Sequence, residues 1–169
     1  MITEFKESVV AVLAGFTIEI KILIISMMPI LEQKASIPIG IASGMNAYLV
    51  YFYTLIGAIL PAPFIYYGVK FIFPYLKKIK YIGRVIDLIE KKGRKQTGKI
   101  LKYELLGLFL FVAIPLPGTG VWTGTLAASM LNLGFKKSMI SISFGAAACG
   151  GLILLGTDMI INITNLIIG

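Results

Sequence analysis

The sequence predicts an all-α, polytopic integral membrane protein with two re-entrant helical hairpins and two full spans arranged as an inverted repeat. Three observations carry this reading. The chain is 57% apolar with a mean hydropathy of +0.90, and uncharged stretches run over 35–69, 105–135 and 138–157. A soluble domain of 169 residues has no interior large enough for three such runs, so lipid must be the solvent. Breaks rich in proline and glycine interrupt two of them, at Ile37-Pro38-Ile39-Gly40 and at Ile114-Pro115-Leu116-Pro117-Gly118-Thr119-Gly120. The net charge of +8 is concentrated at 77–102, where ten basic residues face only Asp87 and Glu90. A basic loop between apolar segments is the positive-inside signal of a membrane protein rather than a nucleic-acid surface.

The elements follow in order. Residues 1–21 open with Glu4, Lys6 and Glu7 and reach Glu19 after eleven uncharged residues, which reads as mature structure rather than a cleaved signal. A plain span over 8–31 would hold Glu19 and Lys21 near mid-bilayer at about 2.5–3.5 kcal/mol each, so an interfacial helix is expected there. Residues 22–74 form the first repeat. As one helix the 35 uncharged residues of 35–69 would be about 52 Å long against a hydrocarbon core of about 30 Å, so the run must bend or end inside. Gly40, Gly44 and Asn46 place a break early and leave Ala47 to Phe73 as a full crossing, kinked by Pro61 and Pro63. The preceding pieces, 22–31 and 36–45, are each half a membrane long, so they make a hairpin that the Ile-Pro-x-Gly element turns back at mid-membrane depth.

Residues 75–102 form a basic cytoplasmic linker in which Ile82, Val85, Ile86 and Ile89 fall at helical spacing, as expected of an amphipathic helix on an anionic leaflet. Residues 103–169 repeat the plan: a half-length piece to Ile114, a Pro/Gly tip, a second half from Val121 to Leu133, then a crossing from Lys137 to about Thr157. If the second hairpin re-enters, Lys136 and Lys137 share the linker's side, as the positive-inside rule prefers. The first hairpin then opens on the opposite face.

Candidate site residues cluster at the two breaks. Glu32 and Lys34 stand at a half-membrane tip, where ionised groups are expensive unless they pair or line a wet cavity. Either Glu32 binds a coupling proton or cationic substrate with Lys34 as its partner, or the two form a structural ion pair. At the second break, Pro115, Pro117, Gly118, Thr119 and Gly120 leave backbone groups that need partners, and the helix opening at Val121 would attract an anionic group. Thr119 and Thr123 offer hydroxyls, and Trp122 stacks on substrate or simply packs. Pro38 and Gly40 belong to the first break. Gly40-x-x-x-Gly44 and Gly120-x-x-x-Gly124 read foremost as close packing sites. With a single cysteine, Cys149, and no histidine, intrachain disulfides are excluded and no metal or other cofactor is expected. A proton relay would have to use carboxylates: Glu32, Asp158, Glu104 or Glu19.

Pro29-x-x-Glu32-x-Lys34-x-x-Ile37-Pro38-x-Gly40-x-x-x-Gly44 and Ala113-Ile-Pro-Leu-Pro-Gly-Thr-Gly-Val-Trp-Thr-Gly124 resemble the two signatures of the putative small multidrug export proteins of bacteria and archaea. The resemblance covers nearly the whole chain, with Lys34 where that family usually places arginine. The two-hairpin plan is also distantly similar to DedA-type lipid transporters and scramblases. The resemblance implies an exporter of small molecules; the residues themselves predict a multi-pass protein of a prokaryotic cytoplasmic membrane, and with no His-based metal set, Ser/Lys pair or paired aspartates standing out, it is not expected to be an enzyme. From the residues, the first reading is a secondary transporter moving an amphipathic substrate by ion-coupled alternating access, since no phosphate-binding loop is present. The alternatives are a lipid flippase or scramblase, acting on a phospholipid or polyprenyl phosphate, and a non-catalytic membrane assembly factor. Expected partners are the bilayer, a small amphipathic molecule or lipid, a coupling proton or cation, and a second copy in a homodimer. Nucleic acid is not among them.

Overall fold

The computed structural model describes residues 15–76 and 98–168, and these are helical with no strand among them. Among the described residues seven helices follow one another: α1 (Ile18–Met27), α2 (Glu32–Ala42), α3 (Ala47–Ile59), α4 (Ala62–Leu76), α5 (Gly98–Ala113), α6 (Val121–Met130) and α7 (Phe135–Ile168). Most of the N-terminal helix expected over 1–21 and most of the basic linker expected over 75–102 lie outside the described residues.

Proline chemistry explains the joint between α3 and α4. Pro61 has no amide to donate, yet the Leu60 amide still reaches the Ile56 carbonyl at 3.0 Å and the Ile65 amide reaches Pro61 at 3.0 Å. Pro63 falls in the first turn of α4, where a missing donor costs little. The pair therefore reads as one bent rod, long and apolar enough over Ala47–Ile72 to cross a membrane, and α7 qualifies over Phe135–Ile160. Their outer faces agree with a lipid solvent, since Tyr48, Phe64, Phe71 and Phe144 are 84%, 76%, 72% and 66% exposed. Helices α1, α2 and α6 contain 10, 11 and 10 residues, each about 15 Å or half the hydrocarbon thickness.

The same local plan occurs twice, 88 positions apart. Helix α2 ends where the Met45 amide returns to the Gly40 carbonyl at 3.2 Å and the Gly44 amide to Ile41 at 2.9 Å, with Gly44 at φ 77. Helix α6 ends identically: Leu133 returns to Ala128 at 3.0 Å and Asn132 to Ser129 at 3.1 Å, with Asn132 at φ 59. Both are Schellman turns, which satisfy the last carbonyls of a helix and need a residue that tolerates positive φ. A long helix follows each turn, and each carries a glycine pressed on the first arm of its own hairpin. A Cβ on Gly57 would lie 2.5 Å from the Leu23 carbonyl oxygen of α1, and one on Gly145 would lie 2.9 Å from the Phe109 carbonyl oxygen of α5.

The halves also interlock, with α2 packed on α7 and α6 packed on α4. The Ser129 hydroxyl donates to the Tyr66 carbonyl at 2.8 Å, the Tyr66 hydroxyl donates to Leu133, and the Tyr51 hydroxyl donates to Ala147 at 2.9 Å. Ile22, Ile37 and Val50 bury one apolar cluster, and Tyr66, Val112, Val121 and Ile142 belong to the other.

One expectation about the first hairpin is corrected. Its chain reversal is at Met28–Leu31, not at Ile37–Gly40; Pro38 and Gly40 lie inside α2. A proline within a helix removes one hydrogen bond, at about 3 kcal/mol, but Ile37 beside it is fully buried against Ile22 and Val50. Gly40 makes the approach to α3 possible, for a Cβ there would stand 2.8 Å from a Val50 methyl. Packing holds α2 together across a residue that would break an isolated helix.

Candidate functional site

The turn at Met28–Leu31 uses backbone that ordinary side chains avoid, because Ile30 has φ 76 and Glu32 has φ 43. Three contacts from the second hairpin hold it there. The backbone amide of Trp122 donates to Glu32 Oε1 at 3.0 Å, its indole Nε1 donates to the Met27 carbonyl at 3.0 Å, and the Lys34 ammonium donates to the Thr119 carbonyl. The two tips are thus joined through residues about 90 positions apart.

Glu32 is the centre of this junction. It is only 6% exposed and lies at the amino end of α6, with the Val121 amide alongside that of Trp122. The first amides of a helix lack internal acceptors and carry the positive end of its dipole, so a carboxylate there is stabilised by up to about 2 kcal/mol when partly buried. Lys34 Nζ stands 3.9 Å from Glu32 Oε2, beyond hydrogen-bond reach, so it offsets the carboxylate's charge electrostatically while one of its three donors goes to the Thr119 carbonyl. Pro38 adds to the polarity of this turn, since its missing amide deprives the Lys34 carbonyl of its usual helical donor.

Gly120 makes the approach possible. It has φ 147, and a Cβ there would lie 1.9 Å from Glu32 Oε2. Gly118, at φ 86, meets nothing within 4 Å and serves the turn alone. Thr119 braces that turn: its hydroxyl accepts from the Leu116 amide at 3.2 Å and is 2.8 Å from the Ile114 carbonyl it donates to. The Thr123 hydroxyl donates a long internal bond to the Gly120 carbonyl, at 3.4 Å.

Of the expected site residues, Glu32, Lys34, Thr119, Gly120 and Trp122 therefore meet. Pro115, Pro117 and Gly118 form the exposed rim of the second tip, and Pro38 and Gly40 lie farther along α2. Gly124 is a packing residue, since its Cβ would lie 2.6 Å from a Val112 methyl of α5. Sequence reasoning missed Gln33, which is 3% exposed and points Nε2 at Gly150 of α7, with no hydrogen-bond partner among the described residues. Its neighbours in sequence, two charged residues, were the available signal.

Buried charge shared between two hairpin tips, flanked by two apolar helices of membrane length, defines a helical membrane protein with a polar centre. The chain belongs to the family described as putative small multi-drug export protein, whose model matches residues 32–152. That match begins at Glu32, immediately after the first turn, and takes in the second tip. No curated protein and no solved structure matches the sequence. The family description gives a role in export across a membrane, and the lipid bilayer and a small-molecule substrate follow from it.

Proposed function

We propose that the chain is a small secondary transporter of the cytoplasmic membrane that exports amphipathic molecules by exchange with a proton, using Glu32 as the shared site. The observation that carries this reading is the carboxylate of Glu32 held between the α6 amino terminus and Lys34 at the junction of both hairpins. A carboxylate that holds a proton or a cationic substrate, but not both, exchanges one for the other, which is the minimum an antiporter requires. Ionised Glu32 draws the α6 terminus and Lys34 together and closes the tips. A proton on it removes that attraction, and the tips are then free to part toward one face. In this reading both hairpins re-enter from opposite faces and the halves form an inverted repeat, so one junction serves both sides in alternation. The paired Schellman turns and the paired glycines Gly57 and Gly145 support a repeat.

The test is proton-driven substrate flux in vesicles at matched protein content. Glu32→Gln keeps the size and a hydrogen-bonding end while removing the charge, so folded protein is expected to persist while gradient-driven flux is lost. Unchanged flux removes Glu32 from the mechanism. A second reading is favoured by the same geometry: Lys34 and the α6 amino terminus would also suit a phosphate headgroup in the place of the Glu32 carboxylate, making the protein a lipid flippase. Flipping of a fluorescent phospholipid in those vesicles, surviving Glu32→Gln and lost in Lys34→Met, would select it.

A further inference from the structure

The second hairpin is not closed along its length. At the tip its arms touch, through Gly124 and Val112. Toward the open end they part around a pocket of about 260 Å³ whose walls include Gly107, Leu108, Phe111, Ala127 and Leu131. The lining is apolar with one exception, Glu104, whose Oε2 is buried and has no hydrogen-bond partner among the described residues. The adjoining backbone is fixed, because the Leu105 carbonyl accepts the Ser141 hydroxyl of α7.

We infer that this pocket is a second ligand site, distinct from the hairpin junction, for a lipophilic monocation the size of a single aromatic ring bearing a quaternary ammonium. A carboxylate oxygen with no partner among the described residues, set in a largely apolar lining, favours an occupant that brings a counter-charge. A small hard cation such as magnesium or calcium needs several oxygen ligands, and the lining side chains supply one carboxylate. The cation must therefore bring an apolar body that Leu108, Phe111 and Leu131 can cover while its charge rests on Glu104. Binding pockets for drug-sized molecules run to about 300–1,000 Å³, so this smaller one suits a single ring.

The experiment is equilibrium binding of radiolabelled benzyltrimethylammonium to the full chain in lipid nanodiscs, with neopentylbenzene, its uncharged isostere, as competitor. Wild type is expected to bind saturably without displacement by the neutral isostere, Glu104→Gln to bind about tenfold more weakly, and Glu32→Gln to bind as wild type does. Gly107→Trp supplies an independent arm, because a Cβ there meets nothing within 4 Å and a bulky side chain fills the pocket with Glu104 intact; it too is expected to lose binding. Equal binding by all variants, displacement by neopentylbenzene, or a carbodiimide cross-link from Glu104 to a lysine of 77–102 that the cation cannot prevent would each overturn the site. Loss of binding in Glu104→Gln together with unimpaired proton-driven flux in Glu32→Gln would keep this site and reject the transport mechanism.

Discussion

At the scale of single residues, the junction depends on a missing side chain as much as on charges. Gly120 is the only residue type that fits, for both its φ of 147 and the carboxylate 1.9 Å from where a Cβ would be forbid anything larger. Gly120→Ala is expected to cost about 1–3 kcal/mol, read as a lower melting temperature in detergent, and to abolish flux by displacing Glu32 from the α6 terminus. An alanine variant as stable and active as wild type would contradict the geometry. Glu32, Lys34 and Gly120 were legible from sequence because charge beside an apolar run and a Gly-x-Gly break are both costly without a purpose. The φ of 43 at Glu32 and the indole bond from Trp122 to Met27 were not legible, because they arise only when segments about 90 residues apart meet.

At the scale of elements, helix lengths were read well where solvent sets them and less well where packing does. The second break was placed correctly: Pro115, Pro117, Gly118 and Gly120 carry no nearby apolar burial to rescue a helix, and α5 and α6 stop on either side of them. The first was assigned to the wrong element: arms over 22–31 and 36–45 put the reversal within a few residues of Met28–Leu31, but the Ile-Pro-x-Gly element expected to make it lies inside α2, because Ile37 and Gly40 pack well enough to carry α2 through Pro38, while the real turn uses the non-glycine residues Ile30 and Glu32. The long helices make a sharper test. Gly57→Ala and Gly145→Ala each push a Cβ into backbone of the neighbouring arm and are expected to destabilise by about 1–3 kcal/mol. Gly68→Ala, whose Cβ meets nothing within 4 Å, is expected to be neutral or to stabilise by up to about 1 kcal/mol through helix propensity. Thermal unfolding of the three variants checks the pattern, and equal shifts would show that the arms do not press on the spans as described.

At the scale of the whole molecule, α2 packs on α7 and α6 on α4, so each hairpin is locked to a long helix of the other half, as the proposed alternating access requires. If both hairpins re-enter, single cysteines at 91 and 136 in a Cys149→Ala background are expected to label from the same, cytoplasmic side; labelling from opposite sides would make the second hairpin a crossing. In the proposed mechanism ionised Glu32 holds the tips closed and a proton releases them, and the distance between the tips reads this directly. Ile30 is 87% exposed on the first tip and Pro117 is exposed on the second, so spin labels at both positions leave the junction untouched. Pulsed electron–electron distance measurement in lipid nanodiscs, over a pH series, is expected to show one short separation at high pH that gives way to a longer one as Glu32 takes up its proton, and the longer one at every pH in Glu32→Gln. A single separation, unchanged by pH and the same in Glu32→Gln, would show that the Glu32 proton does not open the tips.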